Sequence, residues 1–187
     1  MVGGVGTPGD DEATRFVRLE WDRGHETLVG LVRSVTDAGL VISPVHELAV
    51  DPGFVWIRGD ELLSVEDLDD DDPVVRHEQL RRQHSWEPVG RGIPNPVVAL
   101  PLELEELLDE LAAPGSLIMF HTRRTGSDEG LVGRVRHRRD GIVSLDEVDP
   151  SGRLTGDTLT VETDELIAIK WCDGYLAALS RLLMFES

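Results

Sequence analysis

Leu28-Val29-Gly30-Leu31-Val32 and Leu131-Val132-Gly133-Arg134-Val135 are nearly one stretch written twice. Each sets a single glycine inside an apolar, β-branched run. The match continues outward in the same order. Asp37-Ala38-Gly39-Leu40-Val41 returns as Asp140-Gly141-Ile142-Val143, one residue shorter. Asp51-Pro52-Gly53 returns as Asp149-Pro150-Ser151-Gly152, and Asp60-Glu61-Leu62-Leu63-Ser64-Val65 as Asp164-Glu165-Leu166-Ile167-Ala168-Ile169. The offsets of 103, 102, 98 and 104 drift as loop insertions and deletions would make them drift. Four matched blocks in one order mark an internal duplication.

Each copy reads as five short strands. In the first they are Phe16–Trp21, Leu28–Val35, Leu40–Val45, Phe54–Arg58 and Leu62–Val65. In the second they are Leu117–His121, Leu131–His137, Ile142–Leu145, Thr158–Val161 and Leu166–Trp171. Asp37-Ala38-Gly39 and Asp51-Pro52-Gly53 are turn signals. A glycine inside the second strand of both copies predicts a sharp bend or bulge. A bent strand would let five strands close into a small barrel and remove the edges that invite aggregation.

The expected fold class is therefore mainly β with flanking helices (α+β), as two tandem five-stranded barrels. Residues 1–12 read as a disordered leader, 13–85 as the first barrel with a helix, and 86–101 as a linker. The linker carries Pro88, Pro94, Pro96 and Pro101. Residues 102–187 read as the second barrel with flanking helices. Leu102–Leu111 places Leu104, Leu107, Leu108 and Leu111 on one face, and Pro114-Gly115 stops it. Tyr175–Met184 is apolar nearly all round, which predicts burial. Val74–His84 is the polar helix of the first copy. A barrel this small has a marginal core, so the copies are expected to pack on each other, with the C-terminal helix as the natural mediator.

Leu28-Val29-Gly30-Leu31-Val32-Arg33-Ser34-Val35-Thr36-Asp37 resembles the first motif of Sm-like proteins, a glycine in a bent strand followed by an aspartate. Val55-Trp56-Ile57-Arg58-Gly59-Asp60-Glu61-Leu62-Leu63 resembles their second motif. The second copy keeps Gly133, Asp140 and Asp164-Glu165-Leu166 but has Glu162-Thr163 in place of Arg58-Gly59. The resemblance implies an Sm-like or SH3-like small barrel. It also implies a uridine-rich RNA site at Arg58 and Gly59. The Asn that completes such a site is missing, since Asn95, in the linker, is the chain's only Asn. Bacterial Sm-like barrels also occur as accessory or immunity proteins, and the chain resembles that group.

The 187 residues carry 18 Lys+Arg against 36 Asp+Glu, a formal net charge of -18. Such acidity repels nucleic acid at long range and favours a basic partner. Lys170 is the one lysine among those cations. One cysteine, Cys172, excludes a disulfide framework and a thiolate zinc site, and its apolar neighbours suggest a buried thiol. No run is long enough for a transmembrane helix, and the first residues lack the signal-peptide pattern. A cytoplasmic location is expected.

Catalytic templates are missing: no P-loop, no GxGxxG after a strand, no GxSxG elbow. His25, His46, His77, His84, His121 and His137 are scattered, with no HExxH-type pair. No enzyme activity, cofactor or metal is expected. Two charged clusters stand out instead. Arg123, Arg124, Arg134, Arg136, Arg138 and Arg139 form a basic strand and hairpin tip. Arg134 and Arg136 share one strand face, and Arg123 and Arg124 end the neighbouring strand. Such a patch suits phosphate or an acidic segment, or ion pairing with nearby acids. Asp69, Asp70 and Asp71 lie in an acidic run that lacks an EF-hand's alternating ligands, central Gly and distal Glu. That run reads as a solvated loop, with Asp72 capping a helix that Pro73 opens. Both clusters are candidate partner-binding residues, and a salt-sensitive homo-oligomer through them is compatible with the sequence. The expected function is non-catalytic binding of a protein partner. An Sm-like RNA-binding role through Arg58 and Gly59, or through the basic hairpin, is the alternative.

Overall fold

Alternating burial makes Phe16–Trp21 the first strand, β1: Val17, Leu19 and Trp21 point inward while Arg18 and Glu20 are exposed. The computed structural model describes residues 15–22, 26–46, 49–50, 53–83, 103–112 and 117–185. The leader at 1–12, the linker at 86–101, Trp86, His25, His84 and the Pro114-Gly115 stop lie outside the described residues.

The first copy continues with β2 (Glu26–Val35), β3 (Gly39–His46), a two-residue β4 (Ala49–Val50), β5 (Phe54–Arg58) and β6 (Leu62–Asp67). The second has β7 (Leu117–Thr122), β8 (Gly126–Arg139), β9 (Ile142–Val148), β10 (Leu154–Glu162) and β11 (Leu166–Trp171). Strands Phe16–Trp21, Phe54–Arg58 and Leu166–Trp171 have the expected bounds. The others run longer, most of all β8.

All the strands belong to one antiparallel sheet, in the order β10-β9-β8-β7-β11-β5-β3-β2-β1-β6, with β4 paired to β3. The duplication is visible in it. Reading each copy's five long strands as first to fifth, both halves have the order fourth-third-second-first-fifth. Even the irregularities are copied. β2 slips against β3 between Val32 and Ser34, and β8 slips against β9 at the matching place, between Val135 and His137. β1 slips against β6 beside Trp21, and β7 against β11 beside the matching Thr122. Gly30 and Gly133 occupy equivalent positions, opposite Val17 and Ile118. A Cβ on Gly30 would lie 2.6 Å from Ile42 Cδ1, and one on Gly133 2.6 Å from the Asp146 carbonyl oxygen. Close approach of the third strand thus requires glycine at both.

The expected closed barrels are not what the ladders build. Among the described residues the sheet is open, with β6 and β10 at its two edges. Each half must nevertheless curl. Its fourth and fifth strands sit at opposite ends of the half, about 19 Å apart if it were flat. The connections are the 3-10 turn Gly59–Glu61 in one half and residues 163–165 in the other. Either can span only about 14 Å.

The halves meet through β5 and β11, in the register Ile57↔Ala168, Trp56↔Ile169, Val55↔Lys170 and Phe54↔Trp171. Both faces of this seam are covered, as a continuous apolar run requires. Val55, Ile57, Ile167 and Ala168 join Val17, Leu19, Trp21, Leu40 and Ile42 in one core. Trp56, Ile169 and Trp171 join Leu107, Leu108, Leu111, Ile118, Phe120, Val143 and Leu145 in the other. Phe54 stacks on Trp171 with ring centroids 5.3 Å apart. Trp56 and Trp171 anchor this second core.

Among the described residues three helices flank the sheet. α1 (Pro73–Gln83) is opened by Pro73 and capped by Asp72, whose carboxylate accepts the Val74 amide at 2.9 Å. α2 (Leu104–Leu111) starts from a capping box between Glu103 and Glu106 and buries Leu107, Leu108 and Leu111. α3 (Gly174–Phe185) departs from expectation. It presses Leu176, Leu179 and Leu183 onto Leu117, Val132 and Val148 of its own half, while Tyr175 and Leu182 are exposed. Its all-round apolarity does not bury it, because the β5–β11 ladder already joins the copies.

Candidate functional site

The turn Thr163-Asp164-Glu165 gathers two of the singled-out arginines, Arg58 and Arg123, at the seam. Arg58 ends β5 and reaches across to the other half. Its Nε donates to the Leu166 carbonyl and its Nη2 to the Thr163 carbonyl, both at 2.5 Å. The guanidinium also lies 5.7 Å from the centre of the Trp56 ring. Gly59 is exposed, and its amide donates to the Ala38 carbonyl at 3.0 Å.

Arg123 makes the reciprocal crossing. It stands in the β7–β8 turn of the second half and pairs with first-half acids, Glu61 at 2.7 Å and Asp60 at 2.9 Å. Its Nη1 donates to the Asp164 carbonyl at 3.1 Å, and its amide to the Glu165 carbonyl at 2.8 Å. The hydrogen bond to Glu61, chiefly, raises the Arg123 pKa above its ordinary value. The hairpin tip reaches the same turn through the Thr163 amide, which donates to the Gly141 carbonyl at 2.8 Å. The tip is a two-residue turn with Asp140 and Gly141 both at positive φ. Both ends of the basic segment thus contact the turn at residues 163–165.

Their side chains do not form one patch. The slip between Val135 and His137 inverts the alternation along β8. Arg136 points to Asp146 at 3.4 Å and Thr158 at 3.3 Å. Arg138, beyond the slip, turns to α2 and grips Asp109 with two bonds of 2.8 Å, with Glu105 at 3.3 Å. These bonds, Asp109 first, raise the Arg138 pKa. Arg139 pairs with Asp140 at 3.1 Å. The Arg134 Nε is buried with no hydrogen-bond partner among the described residues. Arg124 is exposed and makes no ion pair with them.

Asp69, Asp70 and Asp71 are exposed between β6 and α1. Asp69 accepts the Asp71 amide at 3.1 Å and Asp70 accepts from Gln79 at 3.2 Å. These local bonds do not tie the run to the basic hairpin.

Two buried groups complete the seam's surroundings. His121, at the end of β7, is 2% exposed. Its ring stands edge-on to Trp21 of the other half, centroids 6.1 Å apart. Nδ1 lies 3.3 Å from the Gly126 carbonyl, and Nε2 has no partner among the described residues. Burial, helped by Lys170, pushes its pKa down to about 4 against opposing contributions from Gly126 and Asp22. The ring is neutral near pH 7. Burial, with Asp173, pushes the Cys172 thiol up to about 12, so it is no nucleophile at neutral pH.

Among the described residues no three His, Cys, Asp or Glu side chains are grouped to hold a metal ion. No helix among them is long and apolar enough to cross a membrane. Sequence reasoning singled out Arg58 and Arg123 but missed that they lock one half to the other. It also missed their partners Asp60 and Glu61, and His121. The available signal was the unequal pair Arg58 and Glu162 at matched positions of the repeat. Compared with known proteins, the chain matches no family model, no curated protein and no solved structure.

Proposed function

We propose that the chain is a non-catalytic macromolecule-binding protein that engages a protein partner, as an accessory or immunity-type factor with an acidic surface. Each half is read as a small Sm-like or SH3-like barrel, in keeping with the curl of the half and the glycine at its crowded second strand. The observation that carries the functional reading is where the positive charge goes. Arg15, Arg18, Arg123, Arg136, Arg138 and Arg139 all pair with the chain's own acids. The surplus behind the net charge of -18 is left to face solvent and partners. A basic protein surface is the complement.

RNA binding is the second reading. It rests on Arg124 and Gly59, both exposed beside the seam. Arg58 supports it less, since its guanidinium already serves two backbone carbonyls. The test is capture of partners from host lysate on the tagged chain, with and without nuclease. One dominant protein that survives nuclease supports the protein-binding reading. Recovered RNA, with proteins lost after nuclease, overturns it in favour of the RNA reading.

A further inference from the structure

The fifth strand of the repeat occurs twice, and among the described residues only one of its copies has a neighbour on its outer edge. The ladders to the first strand match Ser64, Val65, Glu66 and Asp67 of β6 to Ala168, Ile169, Lys170 and Trp171 of β11. On β11 the outer edge is filled by β5, which sets Ile57, Trp56, Val55 and Phe54 opposite these residues. Arg58 then clamps the carbonyls at the start of the strand. On β6 no strand among the described residues takes the place of β5. Ile169 is fully buried, whereas Val65 is 42% exposed and Leu63 58%. Val65 lies opposite the buried Leu19, on the inward face of the strand. It is exposed because the sheet stops there.

The filled edge serves as a template for an occupant. A strand added antiparallel to β6 in the same register would meet Asp67, Glu66, Val65 and Ser64 in turn, then the turn Gly59–Glu61. Where β11 offers Trp171 and Lys170 to Phe54 and Val55, β6 offers Asp67 and Glu66, whose carboxylates pair with Arg15 and Arg18 at 2.6 and 3.3 Å yet stay 65% and 68% exposed, so each can accept a second, basic side chain. An aromatic in the place of Trp56 would cover Val65. An arginine in the place of Arg58 would reach the carbonyls of Gly59 and Leu62, which match those of Thr163 and Leu166. The chain's own β10 does not fit these requirements. At the matched positions it carries Thr158, Leu159, Thr160, Val161 and Glu162. It therefore has no aromatic for Val65, and it sets a carboxylate against carbonyl oxygens.

Resting on the protein-binding reading, we propose that β6 is its docking edge, and that it takes an extended partner segment of the order basic, basic, aromatic, apolar, arginine as an added strand. Backbone pairing supplies the affinity, and the aromatic and the arginine select the segment.

The test uses the full chain and a capped, fluorescent hexapeptide, Lys-Lys-Trp-Ile-Arg-Gly. Saturable binding is expected, with amide shifts in NMR spectra centred on residues 62–67. Replacing the peptide's arginine by glutamate should weaken it at least about tenfold, as loss of charge-assisted bonds does. Val65→Glu should abolish it, with far-UV circular dichroism showing an intact fold. No binding, or binding indifferent to both changes, overturns the proposal. So does concentration-dependent dimerisation of the chain alone that Val65→Glu abolishes, which would give the edge to a second copy. Repeating the lysate capture with the Val65→Glu chain separates the two levels. A nuclease-resistant partner retained equally by this variant removes the β6 edge and leaves the protein-binding reading standing. Failure of the peptide together with no protein partner in the capture removes both.

Discussion

β6 and β11 descend from the same segment of the repeat and have opposite fates. β11 is a nearly unbroken buried strand between two cores, and β6 is exposed along most of its length. Both pair with the first strand of their own half and carry the slip at the same place. What differs is the neighbour on the other side. Burial in a sheet is a property of position among strands as much as of the strand itself. Sequence has adjusted to each position: Ile167, Ala168, Ile169 and Trp171 on one, Ser64, Glu66 and Asp67 on the other. Charged residues on a free edge also discourage unwanted pairing.

Substitutions at matched sites test that contrast. Ile169→Ala should cost about 2–5 kcal/mol of unfolding free energy, as other core truncations do, while Val65→Ala should stay within about 0.5 kcal/mol. Denaturant titration of the two variants checks this, and equal losses would refute it.

The next effect concerns the glycines. Gly133→Ala meets a backbone carbonyl that cannot move aside, and a loss of about 1–3 kcal/mol is expected. Gly30→Ala meets first the Ile42 Cδ1, the free end of a side chain, and should cost less. Thermal unfolding of both ranks them.

Arg58→Ala removes two charge-assisted bonds across the seam, and about 1.5–3 kcal/mol should be lost. The matched Glu162→Ala, on a free edge, should change stability by under about 0.5 kcal/mol. If the two variants unfold alike, Arg58 is no lock.

A pH series sharpens the contrast between the two first strands. Glu20 of β1, which matches His121 of β7, is exposed. The folded pKa of His121 is held at about 4, against 6.5 for the free side chain. Below 6.5 the unfolded chain binds this proton more readily than the folded one. The histidine's contribution is thus whole above pH 6.5 and is lost progressively as pH falls toward 4. Denaturant midpoints should decline over that window, and the decline should be shallower in His121→Phe.

The smallest effect belongs to the exposed pairs. Arg138→Ala should cost no more than about 1 kcal/mol, and less at high salt. Denaturation at two salt concentrations measures it.

The duplication, ten of the eleven strands and the three helices were legible because apolar periodicity and turn residues are local signals. Asp72 at the head of α1 and the Asp140-Gly141 turn were readable for the same reason. β4 was missed, since two residues carry no periodicity. The basic cluster was read as one local patch because its members lie close in sequence, and the slip in β8 that divides it leaves no mark in the residue types.

The sequence by itself determined the repeat, its strand order along the chain, and the two glycines where strands crowd. These follow from steric and hydrophobic preferences of a few neighbouring residues. Only the tertiary structure decided that the sheet continues through β5 and β11 and leaves β6 and β10 open. It alone turned Arg58 and Arg123 across the seam to bind the halves together. Those outcomes depend on pairings between residues about forty to more than a hundred positions apart. Such pairings are selected by the total burial and hydrogen bonding of the assembled sheet, which no short stretch of chain encodes.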